Sequence, residues 1–178
     1  MLRFPYLPTP IRERKPGKPS GPIARFWRFL SNKPDPTLPP ASASLSIKRP
    51  LVPICIRGPG PRFHSLRTLG LLDSGSTDTV IPLEIAYAIG AKLVGDQGIL
   101  RWRGMDFPRQ SAQVQLELSR EKTTWRWNGM VVFTPAPIGY LLLGDRGCLQ
   151  FMNVRFLGHE RWVEVESNSS FSGEVQSS

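Results

Sequence analysis

Twelve consecutive residues restrict the fold of this chain more than any other stretch: Leu71-Leu72-Asp73-Ser74-Gly75-Ser76-Thr77-Asp78-Thr79-Val80-Ile81-Pro82. Two apolar residues run into an Asp-Ser-Gly turn. A hydroxyl residue follows, then an apolar strand closed by a proline. Asp, Ser and Gly each favour turns, because short polar side chains bond the local backbone and glycine accepts any dihedral. The apolar flanks have the composition of buried strands. A carboxylate is thereby pinned in a tight turn, ringed by hydroxyls and backbone N–H groups, and the arrangement occurs once in the chain.

At 178 residues the chain suits one domain with extra tails. Its net charge of +9 is unevenly spread. Residues 1–50 carry ten Lys/Arg against Glu13 and Asp35, and the rest carries thirteen against twelve acids. The basic character therefore belongs to an N-terminal arm. Cys55 and Cys148 give neither a disulfide framework nor a CxxC pair, and His64 and His159 add no metal-ligand spacing. Free cysteines fit a reducing compartment. No apolar run approaches the ~20 residues of a membrane-spanning helix, and Met1-Leu2-Arg3-Phe4-Pro5 lacks the apolar core of a secretory signal. The chain reads as soluble and cytoplasmic.

Eleven of the eighteen prolines lie in residues 1–50. Proline removes donors and fixes its own dihedral, so residues 1–48 read as a disordered, basic, Pro-rich arm. One island, Ile23, Phe26, Trp27 and Leu30, has helical spacing behind Pro22. With Arg25 and Arg28 beside it, the island is a candidate contact for an anionic membrane surface, a nucleic acid or a partner groove, or for packing on its own domain.

From Leu51 the texture changes to short strands. Leu51–Arg57 contains Pro53 and reads as an edge strand. Gly58 to Pro61 is a turn, and Ser65–Leu72 leads into Asp73. Residues Pro82 to Ile89 read as a short helix stopped by Gly90. Ile99–Arg103 and Gln110–Leu118 form a hairpin about Gly104-Met105-Asp106-Phe107-Pro108, and Val114, Leu116 and Leu118 alternate with polar residues. Thr123–Trp127 and Met130–Thr134 read as two strands across the turn dipeptide Asn128-Gly129. Tyr140–Leu143 is an apolar strand ending at Gly144, Asp145–Met152 a short helix, and Trp162–Glu166 a further alternating strand. The domain spans 49–166, and 167–178 is a disordered polar tail.

Asp73-Ser74-Gly75 and the run Leu141-Leu142-Leu143-Gly144, whose glycine lies 71 positions beyond Asp73, together resemble the retropepsin-like aspartic proteases over about residues 50–166. In that family a D-[ST]-G turn precedes an apolar strand and helix, a flap hairpin follows, and a hydrophobic-hydrophobic-Gly strand packs beside the turn. The resemblance implies an all-β fold, mainly strands with one or two short helices: a closed antiparallel barrel, homodimeric, with the active site on the two-fold axis. Two facing carboxylates are needed, one keeping a proton because neighbouring like charges cannot both ionise. A single copy in so short a chain implies that the second carboxylate comes from a second chain.

By matching position, Asp73 is the catalytic aspartate and Ser74 the hydroxyl that locks the two loops across the dimer. Gly75 permits close approach of substrate. Ser76 offers a hydroxyl to the carboxylate, Gly104, Met105, Asp106 and Phe107 form the flap, and Leu142, Leu143 and Gly144 form the second motif. Many retroviral members place Arg directly after that glycine, paired with an Asp four residues past the catalytic one. Here those positions are Asp145 and Thr77, and the arginine is Arg146, so the ion pair is rewired or absent. Trp102, Trp125 and Trp127 read as cover for the barrel face in preference to a substrate cleft, and Asp78 and Asp106 as solvated loop acids.

The function implied is an aspartic endopeptidase acting on a peptide or protein substrate, with no metal or organic cofactor. Two other readings stand beside it. One is a catalytically silent dimeric peptide-binding module on the same fold. The other is an adaptor that binds membrane or nucleic acid through residues 1–48.

Overall fold

The computed structural model describes residues 1–10, 46–59 and 64–177, in two units. The smaller contains a two-stranded ladder, β2 (Leu7–Pro10) against β3 (Ser46–Arg49), in which Thr9 Oγ1 donates to the Ile47 carbonyl at 2.7 Å. The amphipathic island Ile23–Leu30 and the bulk of the Pro-rich arm lie outside the described residues.

The larger unit comprises 1–6 and 50–178. Its strands are β1 (Leu2–Pro5), β4 (Leu51–Arg57), β5 (Ser65–Leu72), β6 (Val80–Pro82), β7 (Val94–Trp102), β8 (Met105–Arg120), β9 (Thr123–Thr134), β10 (Leu141–Leu143), β11 (Met152–Leu157), β12 (Trp162–Ser167) and β13 (Glu174–Ser177). Helix α1 (Leu83–Ile89) follows β6, and a 3-10 turn covers Leu149–Phe151. The ladder β9–β6–β10–β5–β4–β8 returns to β9, closing a six-stranded barrel. The barrel is mixed rather than wholly antiparallel: β10 runs parallel to β5, and β6 parallel to β9.

Period-2 patterning builds the core. Ile54 and Ile56 of β4 face Leu118 and Leu116 of β8, which in turn face Trp125 and Trp127 of β9, and all six side chains are buried. Trp125 and Trp127 are thus core residues, flanked by the ring of Phe171 with centroids about 6 Å away. Cross-strand pairs of this size are the natural unit of sheet stabilisation. Glu117, on the opposite face of β8, is buried beneath Arg126 and Arg57, whose guanidinium groups reach its carboxylate at 2.7 and 3.5 Å. Burial alone pushes this carboxyl up. The Arg126 hydrogen bond and charge, with Arg57 and Arg67, outweigh burial and hold it below the usual carboxylate range.

Several expectations need correction. The arm is not free from its first residue: β1 pairs with β12 in a sheet completed on the other side of β12 by β11, and Leu2 and Phe4 are buried. The strand Leu51–Arg57 is no edge strand, because it pairs with both β5 and β8. Pro53 is tolerated because the β8 ladder begins only at Ile54. Asn128-Gly129 makes no turn; both sit within β9, opposite Gln115 and Val114. The turn lies at Glu121–Lys122, with Glu121 at positive φ of 54°. Gly129 is needed for packing, since a Cβ there would lie 2.5 Å from the Gly147 carbonyl oxygen. Of residues 145–152 only Leu149–Phe151 are helical, as a 3-10 turn, and Met152 opens β11. The polar tail carries β13, which pairs with β9. The short helix does end at Gly90, in the left-handed conformation that glycine adopts without steric cost.

Candidate functional site

Strands β5 and β6 are consecutive in the chain but are not neighbours. Strand β10 lies between them, with Leu142 opposite both Leu71 and Val80. A parallel partner cannot come from a tight hairpin, so β10 is supplied from about 70 residues downstream. The turn joining β5 to β6 therefore crosses the end of β10, and residues 144–146 run against it.

Backbone bonds fasten the two segments. Asp73 N–H donates to Leu143 O at 3.1 Å, and Ser76 N–H to Asp73 O at 3.1 Å. Asp145 and Arg146 donate to the carbonyls of Ser76 and Thr77, each at 2.9 Å, and Thr79 N–H donates to Arg146 O at 2.9 Å. The buried Thr79 hydroxyl reaches Gly144 O at 3.4 Å. Few backbone groups of the turn are left to move, so the Asp73 side chain leaves a fixed platform. Its Oδ1 accepts the Gly75 N–H at 3.1 Å, and the residue is half-buried, between the buried Leu72 and the exposed Ser74 and Gly75. Such a carboxylate is held by the backbone and reachable from solvent. The Ser76 hydroxyl, expected on that carboxylate, donates instead to the Asp78 carbonyl at 2.7 Å and stabilises the turn.

An Asp–Arg ion pair is present within the chain, one position later on both sides than the positions the resemblance names. Asp78 and Arg146 form a parallel bridge, and Arg146 Nε meets Asp78 Oδ1 at 2.9 Å. Arg109 of β8 takes the other carboxylate oxygen at 3.0 Å. Asp78 is only 15% exposed, so it is an ion-paired structural acid and not a solvated one. Asp106 does sit on the surface, bonded to Arg101 at 2.9 Å. Sequence spacing holds no signal for Arg109, which arrives from a strand 31 residues away.

The hairpin β7–β8 turns tightly at Arg103-Gly104, both at positive φ (53° and 81°), as two-residue hairpins require. Of the expected flap residues, Gly104 is in the turn, while Met105, Asp106 and Phe107 lie in β8 opposite Trp102, Arg101 and Leu100. Beside the hairpin lies a groove of about 560 Å³, lined by Phe107, Pro108 and Arg109 on one side and by Leu83, Tyr87 and Phe133 on the other.

Asp73, Ser74, Gly75, Ser76, Leu142, Leu143 and Gly144 are thus brought into one locked assembly, and the hairpin joins it through Arg109. No family model matches the chain, and no curated protein matches it. Among the described residues no helix is long and apolar enough to cross a membrane.

Proposed function

We propose that this chain is one half of an aspartic endopeptidase, completed by a second copy of itself. The observation that carries the reading is the Asp73 platform: one reachable carboxylate, bonded to Gly75 N–H, on a turn locked by residues 143–146. Two such turns facing across a two-fold axis would bring two Asp73 carboxylates together. Like charges at that distance share one proton. The ionised carboxylate draws a proton from a bound water as it attacks the scissile carbonyl. The protonated one donates to the carbonyl oxygen, and the roles exchange as the amine leaves. Ser74 is exposed beside Asp73, and in this reading its hydroxyl meets its counterpart across the axis.

The retropepsin-like family is the assignment this reading favours, with the β7–β8 hairpin as flap. A silent peptide-binding module is the second reading. It is favoured by a hairpin tip that carries Trp102 and Arg103 around a single glycine. Incubation of the full chain with a mixed peptide library at mildly acidic pH separates the two. Pepstatin-sensitive cleavage supports the protease, and peptide retention without cleavage supports the module.

A further inference from the structure

The side chain of Arg109 ties the root of the β7–β8 hairpin to the Asp73 turn. Strand β8 pairs with β9 only from Gln110 onward, while Met105 to Arg109 pair with β7 alone. The hairpin thus leaves the barrel at Arg109, opposite Gly98. The β7–β8 register also slips there, between Val94 and Gly98. At this root Arg109 crosses the backbone of Gly98, where an added Cβ would lie 2.5 Å from Nε. Its NH1 then reaches Asp78 Oδ2 at 3.0 Å. Asp78 is bonded in turn to Arg146, and its carbonyl accepts the Ser76 hydroxyl. A second tether, from Thr134 Oγ1 to Pro108 O at 3.0 Å, holds the neighbouring residue.

We propose that Arg109 is a positioning residue that sets the hairpin against the catalytic turn through Asp78. This rests on the protease reading of Asp73. Arg109 touches no reacting atom. It fixes the angle at which residues 99–108 leave the barrel, and with it the groove that Phe107 and Pro108 share with Leu83, Tyr87 and Phe133. A bidentate-capable guanidinium suits the role because its planar fork can span Gly98 and still meet a carboxylate. The missing Cβ at Gly98 leaves the space that the Arg109 side chain occupies as it crosses.

The test uses full-length Arg109→Gln, Arg109→Lys, Gly98→Ala and the double variant Gly98→Ala/Arg109→Gln. Amide hydrogen exchange is followed in active protein and in an Asp73→Asn background, so the readout does not depend on hydrolysis. Arg109→Gln should speed exchange at residues 99–108 and 76–79 together by about tenfold or more, leaving β11–β12 unchanged. Arg109→Lys should restore part of the protection. Gly98→Ala, which forces the Arg109 side chain to give way at Nε, should shift exchange in the same direction as Arg109→Gln, and the double variant should be no worse than Arg109→Gln alone, because both act on one contact. In active protein, KM should rise more than kcat falls. Exchange unchanged at the hairpin, or strictly additive effects of the two substitutions, would overturn the proposal. Hydrolysis that survives Asp73→Asn would instead remove the protease reading and leave the exchange result standing.

Discussion

Gly144 lies directly against the backbone of Asp78, with no room for a side chain between them. A Cβ on Gly144 would overlap the Asp78 carbonyl and come within 2.6 Å of the Ser76 carbonyl oxygen. The neighbouring atoms are backbone, already committed to the bonds that lock the Asp73 turn, so they cannot step aside cheaply. Gly144→Ala should therefore destabilise the fold by about 3 kcal/mol. A loss of under about 0.5 kcal/mol by urea unfolding, within the range of neutral surface changes, would show that the turn is softer than described.

The amino-terminal strand belongs to the domain. Phe4 is 1% exposed, pairs with Val163 and lies under the guanidinium of Arg120. Phe4→Ala should cost about 3–5 kcal/mol. Removing residues 1–6 should do at least as much harm, because it also strips β12 of a partner. Denaturation midpoints of the variant and the truncated chain check this, and unchanged midpoints would return residues 1–6 to the status of a free tail.

Glu117 makes stability depend on pH. Its folded-state pKa is lowered, so its contribution is fully present above the ordinary value of 4.5 and is lost as pH falls through the lower folded value. Glu117→Gln should weaken the fold by about 1–2 kcal/mol at neutral pH, the scale of a lost charge-assisted hydrogen bond. The gap between wild type and variant should stay constant down to about that ordinary value and narrow below it. Chemical denaturation of both proteins across the acid range measures the gap, and a gap that widens in acid would contradict the assignment.

How much of this was legible in the sequence depends on range. The Asp-Ser-Gly turn, the Gly90 stop and the alternation of Val114, Leu116 and Leu118 are local, and each has a local physical cause. That the Leu141–Gly144 strand lies beside the Asp73 turn followed from the resemblance of the two motifs, but its insertion between β5 and β6 and the parallel ladders that follow are not local. The Asp78 pairing also joins positions far apart in the chain. Asn128-Gly129 misled because turn chemistry was outweighed by the long β8–β9 register. Glu121-Lys122, which does turn, carries no glycine or asparagine to mark it. Residues Leu2 and Phe4 alternate, but four residues among prolines give too short a pattern to stand out. Phe171 lies alone in a polar stretch and gains meaning only against Trp125 and Trp127.

Asp73→Asn should fold like wild type, since Gly75 N–H can still find the side-chain oxygen of asparagine. It should lose hydrolysis by at least a thousandfold, roughly 4 kcal/mol of barrier. A residual rate within about tenfold of wild type would place the chemistry elsewhere.

The most direct measurement of the central claim mixes the two proteins. Wild type and Asp73→Asn are combined at constant total concentration, allowed to exchange subunits, and assayed for peptide hydrolysis across mixing ratios. If each site takes one Asp73 from each of two chains, only wild-type pairs hydrolyse. Activity then follows the square of the wild-type fraction, falling to about one quarter at equal mixing. Activity that falls in direct proportion to the wild-type fraction, with complete exchange verified by mass, would mean that one chain suffices and would contradict the composite site.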